Sequence, residues 1–199
     1  MHLSMNVLAL AIGATLSSGT ALAQARDAAT SHPDQGVISG LGIRNIGPAV
    51  MSGRVSALAA ARRKDATLTI YVGAASGGVW KSTDGGTTFR PKFDKQPVQS
   101  IGALALNPNN ADDIWVGTGE AWTRNSVSIG NGVYRSTDGG ESWKHLGLPD
   151  SERIVKIVVD ARNSETALVC ATGKLWSDST ERGVYRTTDG GKSWVQVLK

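Results

Sequence analysis

Three aspartates recur in one repeated phrase. Asp84 stands in KSTDGGTTF (81–89), Asp138 in RSTDGGESW (135–143) and Asp189 in RTTDGGKSW (186–194). A carboxylate flanked by hydroxyls could ligate Ca2+ or touch a substrate. A calcium loop needs several oxygen donors close together, and each phrase offers one carboxylate. The phrase reads instead as a turn. Asp-Gly marks a hairpin, because the turn requires positive φ, and the aspartate can accept from nearby backbone amides. Ser82, Asp84, Gly86, Thr88 and Phe89 thus form one structural unit. Ser136, Asp138, Gly140, Ser142 and Trp143 form the second, and Thr187, Asp189, Gly191, Ser193 and Trp194 the third. The hydroxyls at Thr88, Ser142 and Ser193 are placed to pin each loop, and the closing aromatic can pack between repeats.

A second set of groups suits ligand binding. Glu120, Trp122 and Arg124 lie in GEAWTRNSVSIGNG (119–132), and Lys174, Trp176 and Asp178 in GKLWSDSTERG (173–183). A flat aromatic beside hydrogen-bonding groups suits a sugar or a peptide. The bland alternative is local packing of each tryptophan against its own repeat. Arg54 and Arg153 precede two apolar runs and either rim the same face or end as solvated strand termini. No catalytic residue stands out. His2 and His32 lie near the N-terminus, His145 is inside WKHLG, and no His/Cys cluster suggests zinc. The sequence implies no metal and no cofactor.

These groups need a scaffold. The aspartates are spaced by 54 and 51 residues, the length of one propeller blade. Each repeat holds four strand candidates. The first are RVSALAA (54–60), SIGALAL (100–106) and RIVKIVV (153–159), apolar on both faces as an innermost strand should be. The second are 68–74, 113–119 and 167–173; the third 78–83, 132–137 and 183–188; the fourth 87–93, 141–147 and 192–198. Short strands with Gly, Asn and Asp turns read as all-β. Radial repetition of four-stranded sheets makes a β-propeller. Blade one spans about 53–95, blade two about 99–148 and blade three about 152–199, within a propeller region of 41–199. Propellers typically need about four to eight blades, so the expectation is a partial propeller completed by blades of a longer chain. The loops after the second strands leave the face opposite the repeated turns, over the central channel.

Composition narrows the partners. The net charge is +4 and the basic residues are scattered, unlike the stripe of a nucleic-acid binder. The one run, Arg62-Arg63-Lys64, is followed by Asp65 and reads as a solvated turn. Cys170 is the only cysteine, so no internal disulfide forms, and its apolar run ALVCATG suggests a buried thiol. VLALAIGATL (7–16) is too short to span a bilayer and precedes Ala21-Leu22-Ala23, a small-x-small cleavage pattern. Residues 1–23 are therefore expected to be a signal peptide and 24–40 a flexible leader, placing the protein outside the cytoplasm, secreted or periplasmic. No cysteine follows the apolar run, so no stable membrane anchor is expected.

The three phrases resemble the Asp-box, or BNR, repeat Ser-x-Asp-x-Gly-x-Thr-Trp, in register over residues 53–199. Asp-boxes occur in sialidases, xyloglucanase-type glycoside hydrolases, the sortilin luminal propeller and a photosystem assembly factor. IRNIGPAVMSGRVSALA (43–59) with YVGAASGGVWKSTDGG (71–86) resembles large secreted bacterial proteins of the sortilin-N-terminal-domain or BNR glycosyl hydrolase-like type. The resemblance implies a binding or scaffolding module for carbohydrate or for protein. Its alternative is part of a glycoside hydrolase whose carboxylates lie elsewhere. Laid on the xyloglucanase pattern, the catalytic aspartate falls on Ala75, which can serve neither as acid nor as base. Glycoside hydrolysis usually needs two placed carboxylates.

Overall fold

Short β-branched and small-residue runs, broken every few residues by Gly-containing turns, leave the chain no helical period. Twelve strands result in the computed structural model, which describes residues 54–63, 65–125 and 127–199. The expected signal peptide, the leader and residues 41–53 lie outside the described residues. No helix among the described residues is long and apolar enough to cross a membrane.

Three four-stranded antiparallel sheets follow one another as meanders. Blade one is β1 (Val55–Arg62), β2 (Leu68–Ala74), β3 (Gly78–Ser82) and β4 (Arg90–Pro91). Blade two is β5 (Ile101–Asn107), β6 (Asn110–Thr118), β7 (Val133–Ser136) and β8 (Lys144–His145). Blade three is β9 (Ile154–Val159), β10 (Ala167–Ala171), β11 (Gly183–Thr187) and β12 (Val195–Leu198). This is the expected all-β propeller architecture. The fourth strands are shorter than the sequence suggests, because the turns absorb the residues that would begin them.

The core lies between the blades. Tyr71, Phe93, Ile101, Ile114, Val116 and Tyr134 fill the first seam. Trp115, Val133, Leu146, Ile154, Val169 and Tyr185 fill the second. Ile101 and Ile154, each opening an inner strand, are fully buried. Val55 holds the same place in β1 and is 59 % exposed, with Leu58 at 65 %. The expectation of an inner strand buried on both faces therefore holds best for β5, the strand with a blade on each side. Arg63 departs from its expected solvated turn: its guanidinium binds Asp112 across the first seam.

The repeated turns are built alike. In the second, the buried Ser136 hydroxyl donates to Asp138 Oδ1 at 2.7 Å and accepts from the Gly140 amide at 2.7 Å. The Ser142 amide donates to Asp138 Oδ1 at 2.9 Å, and its hydroxyl to Oδ2. Gly139 and Gly140 take φ of 75° and 90°, open to glycine at little steric cost. Ser82, Asp84 and Thr88 repeat the pattern, with Gly86 donating at 2.8 Å. Thr187, Asp189, Gly191 and Ser193 repeat it again. Each carboxylate accepts hydrogen bonds from its own turn.

Candidate functional site

Three inner strands begin on one face, beside the loops that leave the second strands. The Ala75, Gly119 and Thr172 amides donate to the Arg54, Ser100 and Arg153 carbonyls at 3.0, 2.9 and 3.0 Å. Equivalent places thus converge there in all three blades. The face carries one minimal loop and two long ones.

The blade-two loop has a tied neck and an open tip. The Glu120 amide donates to the Ser128 carbonyl at 2.9 Å, and Ser100 Oγ donates to the same carbonyl at 3.1 Å. Thr118 Oγ1 accepts the Asn131 and Gly132 amides at 2.9 and 3.0 Å. The Glu120 carboxylate is 1 % exposed and binds the Arg54 guanidinium of blade one. Gly130 donates to the Glu152 carbonyl of the blade-three lead-in at 2.7 Å. One loop therefore fastens the starts of all three blades. Beyond the neck, Trp122 is 67 % exposed and Arg124 half-buried.

The blade-three loop forms one wall of an open cleft of about 830 Å3. Lys174, Asp178 and Glu181 line it from this loop, and Asp150 and Glu152 from the turn before β9. Arg182 donates to the Thr172 carbonyl at 2.9 Å and the Lys174 carbonyl at 3.1 Å, which holds the loop's shape. Trp176 is 79 % exposed on the same loop. Leu148 and Glu152, flanking the turn Pro149–Ser151, both take positive φ, 57° and 51°. Non-glycine residues rarely adopt that region, and strain of this kind clusters at functional sites.

The structure thus sorts the residues singled out by sequence. Trp122, Trp176, Lys174 and Asp178 face solvent, and the two tryptophans do not fold back onto their blades. Glu120 and Arg54 face each other and serve the loop's neck. Arg153 is 3 % exposed, and its guanidinium donates to the Gly173 carbonyl, so it does not rim the channel. Burial lowers its pKa. Asp150, Glu152, Glu181 and Arg182 had no sequence signal beyond their loop positions. Ala75 is fully buried, so a methyl group fills the place where the xyloglucanase pattern has its acid. No cluster of three His, Cys, Asp or Glu among the described residues could hold a metal ion.

Comparison with known proteins completes the description. The Sortilin-Vps10 family (sortilin, neurotensin receptor 3) matches residues 69–199. The chain belongs to this family. As a Sortilin-Vps10 member it is also similar to glycosidases. It is 34 % identical over 128 residues to an oligoxyloglucan-reducing end-specific xyloglucanase of Emericella nidulans, covering 60 % of this chain and 14 % of that one. It is 28 % identical over 144 residues to xyloglucanase Xgh74A of Acetivibrio thermocellus, covering 61 % and 16 %. The crystal structure of an ancestral GH74 enzyme superposes with a TM-score of 0.57 at 21 % identity, covering 78 % of this chain and 19 % of that one. That likeness concerns the fold. The chain spans about one seventh of the length of these curated relatives.

Proposed function

We propose that this Sortilin-Vps10 chain supplies a carbohydrate-binding face to an exported Asp-box propeller and is not itself a hydrolase. The observation that carries the reading is Trp176, 79 % exposed on a loop that lines the open cleft. An exposed indole offers a sugar ring a flat apolar platform, and Lys174, Asp178 and Glu181 of the same loop, which line the cleft, offer hydrogen bonds. The names of the relatives, xyloglucanases, make a xyloglucan-type glucan the first ligand to try.

Catalysis by this chain lacks its parts. Ala75 cannot protonate a leaving group, and Glu120 is engaged by Arg54 in a buried pair. The second reading, part of a longer glycoside hydrolase, is favoured by the 14 % coverage of the fungal relative. In that case the acid and base come from other blades. Export rests on the apolar run 7–16 and the Ala21-Leu22-Ala23 motif.

The test is titration of the chain with xyloglucan oligosaccharides, followed by indole fluorescence and calorimetry. Binding that disappears in Trp176→Ala with an unchanged melting temperature supports the reading. Binding indifferent to Trp176, or no binding to any neutral glucan, sinks it.

A further inference from the structure

The two walls of the cleft meet at a bond behind its lining. Glu152 and Lys174 line opposite sides. The residues next to them are joined, because the Arg153 guanidinium donates to the Gly173 carbonyl. The backbone repeats the link, with the Thr172 amide donating to the Arg153 carbonyl at 3.0 Å. Arg182 completes the base of the loop. Its Nε donates to the Thr172 carbonyl at 2.9 Å and its Nη2 to the Lys174 carbonyl at 3.1 Å. Three successive carbonyls, 172 to 174, thus each receive a guanidinium N–H, and Trp176 follows shortly after. Gly173 takes φ of 67°, and a Cβ there would lie 2.4 Å from Ser179 Oγ, so the loop folds over itself at this point.

Arg153 makes its bond at a cost to folding. It is 3 % exposed and forms no ion pair with a carboxylate among the described residues. Burial depresses its pKa, Glu152 acts against that, and Arg182 adds a like charge nearby. Arg54 holds the same place in blade one, its carbonyl accepting the Ala75 amide as that of Arg153 accepts Thr172. Arg54 reaches forward to a carboxylate, Glu120. Arg153 turns to its own loop instead. A buried cation without an anion costs folding free energy, and an apolar side chain of similar length would fill the space without that cost. Such departures are expected where a residue serves a site.

We infer that Arg153 is a positioning residue for the cleft: its guanidinium fixes the blade-three loop, with Lys174 and Trp176, against the wall of Asp150 and Glu152. The inference rests on the carbohydrate reading of that cleft and adds what sets its width. Arg153 touches no ligand. It acts through the Gly173 carbonyl, and so on where the loop stands. Arg182 fixes the shape of the loop from within, and Arg153 fixes its place against the neighbouring turn. A guanidinium suits the task because its bond is charge-assisted and its planar fork holds direction. A loop in place for only part of the time lowers the apparent affinity by that fraction.

The test exchanges the cation for an apolar chain. Arg153→Met should keep or raise the melting temperature, since a buried unpaired charge is gone. It should weaken binding of xyloglucan oligosaccharides by about tenfold, as for a loop in place about a tenth of the time. Arg153→Lys can still donate to the Gly173 carbonyl and should recover part of the affinity without added stability. Cleft width is read separately, by spin-label distances between Asp150→Cys and Asp178→Cys in a Cys170→Ser background, Cys170 being the only cysteine. The distance distribution should be narrow in the parent and broad in Arg153→Met. An unchanged distribution in Arg153→Met overturns the inference, and so does unchanged affinity where the parent binds. A lowered melting temperature or failure to fold overturns it too, because Arg153 is then a prop of the fold. If the parent binds no glucan, the carbohydrate reading fails by itself. The label distances still decide the role of Arg153 in holding the loop, broadening supporting it and no change overturning it.

Discussion

The indole N–H of Trp194 donates to the Leu146 carbonyl at 2.7 Å, so the last residue of one Asp-box is bonded to the residue that follows the outer strand of the preceding blade. The ring also meets Trp115 edge-on, with centroids 6.4 Å apart. A box is thus both a turn within its own blade and a fastener between two blades. Trp194→Phe keeps most of the apolar contact and removes the bond. It should lower stability by about 1 kcal/mol, the usual net worth of one hydrogen bond, measured by urea unfolding. An unchanged midpoint would show that the bond adds nothing to the seam.

Within a box, the hydroxyl should matter more than the carboxylate. Ser136 is 2 % exposed and its Oγ accepts the buried Gly140 amide, whereas Asp138 faces solvent. Ser136→Ala strands that amide and should cost about 1–3 kcal/mol. Asp138→Ala exposes its former partners to water and should cost less, about 1 kcal/mol. Thermal melting of both variants tests the order. Glucan titration tests the joint reading, since neither variant should lose binding while still folded.

Acid should weaken the boxes together. Hydrogen bonds from Ser142, first its hydroxyl and then its amide, hold Asp138 at about 2, below the ordinary 3.8. Asp84 and Asp189 are lowered in the same direction, chiefly by Thr88 and Ser193. Folding favours the charged carboxylates. Their contribution is complete above about pH 4 and is lost as pH falls through about 2. Urea midpoints from pH 5 down to pH 2 should fall, and Asp138→Asn should flatten part of that fall. A midpoint independent of pH across this window would contradict the carboxylate geometry.

The neck of the blade-two loop depends on its ion pair. Arg54→Ala leaves the Glu120 carboxylate buried without its ion-pair partner, with only a long 3.4 Å bond from the Ser128 amide beside it. It should destabilise by about 2–3 kcal/mol, near the lower side for a broken buried pair because Arg54 is partly exposed. Glu120→Gln should cost less and should leave glucan hydrolysis by this chain at zero, as in the parent. The assay is release of reducing ends from xyloglucan. Turnover in the parent that disappears in Glu120→Gln would make the neck an active site.

Much of the fold was legible because the repeat prints its period three times and the Asp-Gly turns declare their φ. Strand boundaries at the boxes were less so. Thr88, Ser142 and Ser193 are expected to pin the loops and also fall within the fourth-strand ranges; the aspartate holds them in the turn, so the strands begin only at Arg90, Lys144 and Val195. The exposed Trp122 and Trp176 were legible as loop aromatics. The fate of Glu120 was not, because its partner Arg54 lies 66 residues away and no local pattern announces a long-range charge pair. Lys81 and Arg135 stood in plain view in GVWKST and GVYRST. Their role needs Asp112 and Glu165 of the neighbouring blades, which only the fold brings beside them.

Every strand pairs with the strand next to it in sequence. The chain can therefore grow or lose a blade by inserting or deleting about fifty residues, with no strand needing to be rethreaded. Folding can follow the same order, one meander at a time, because closing a short loop costs little entropy before its contacts form. A ribosome delivering this chain would release hairpins that are already complete, each waiting only for the blade behind it.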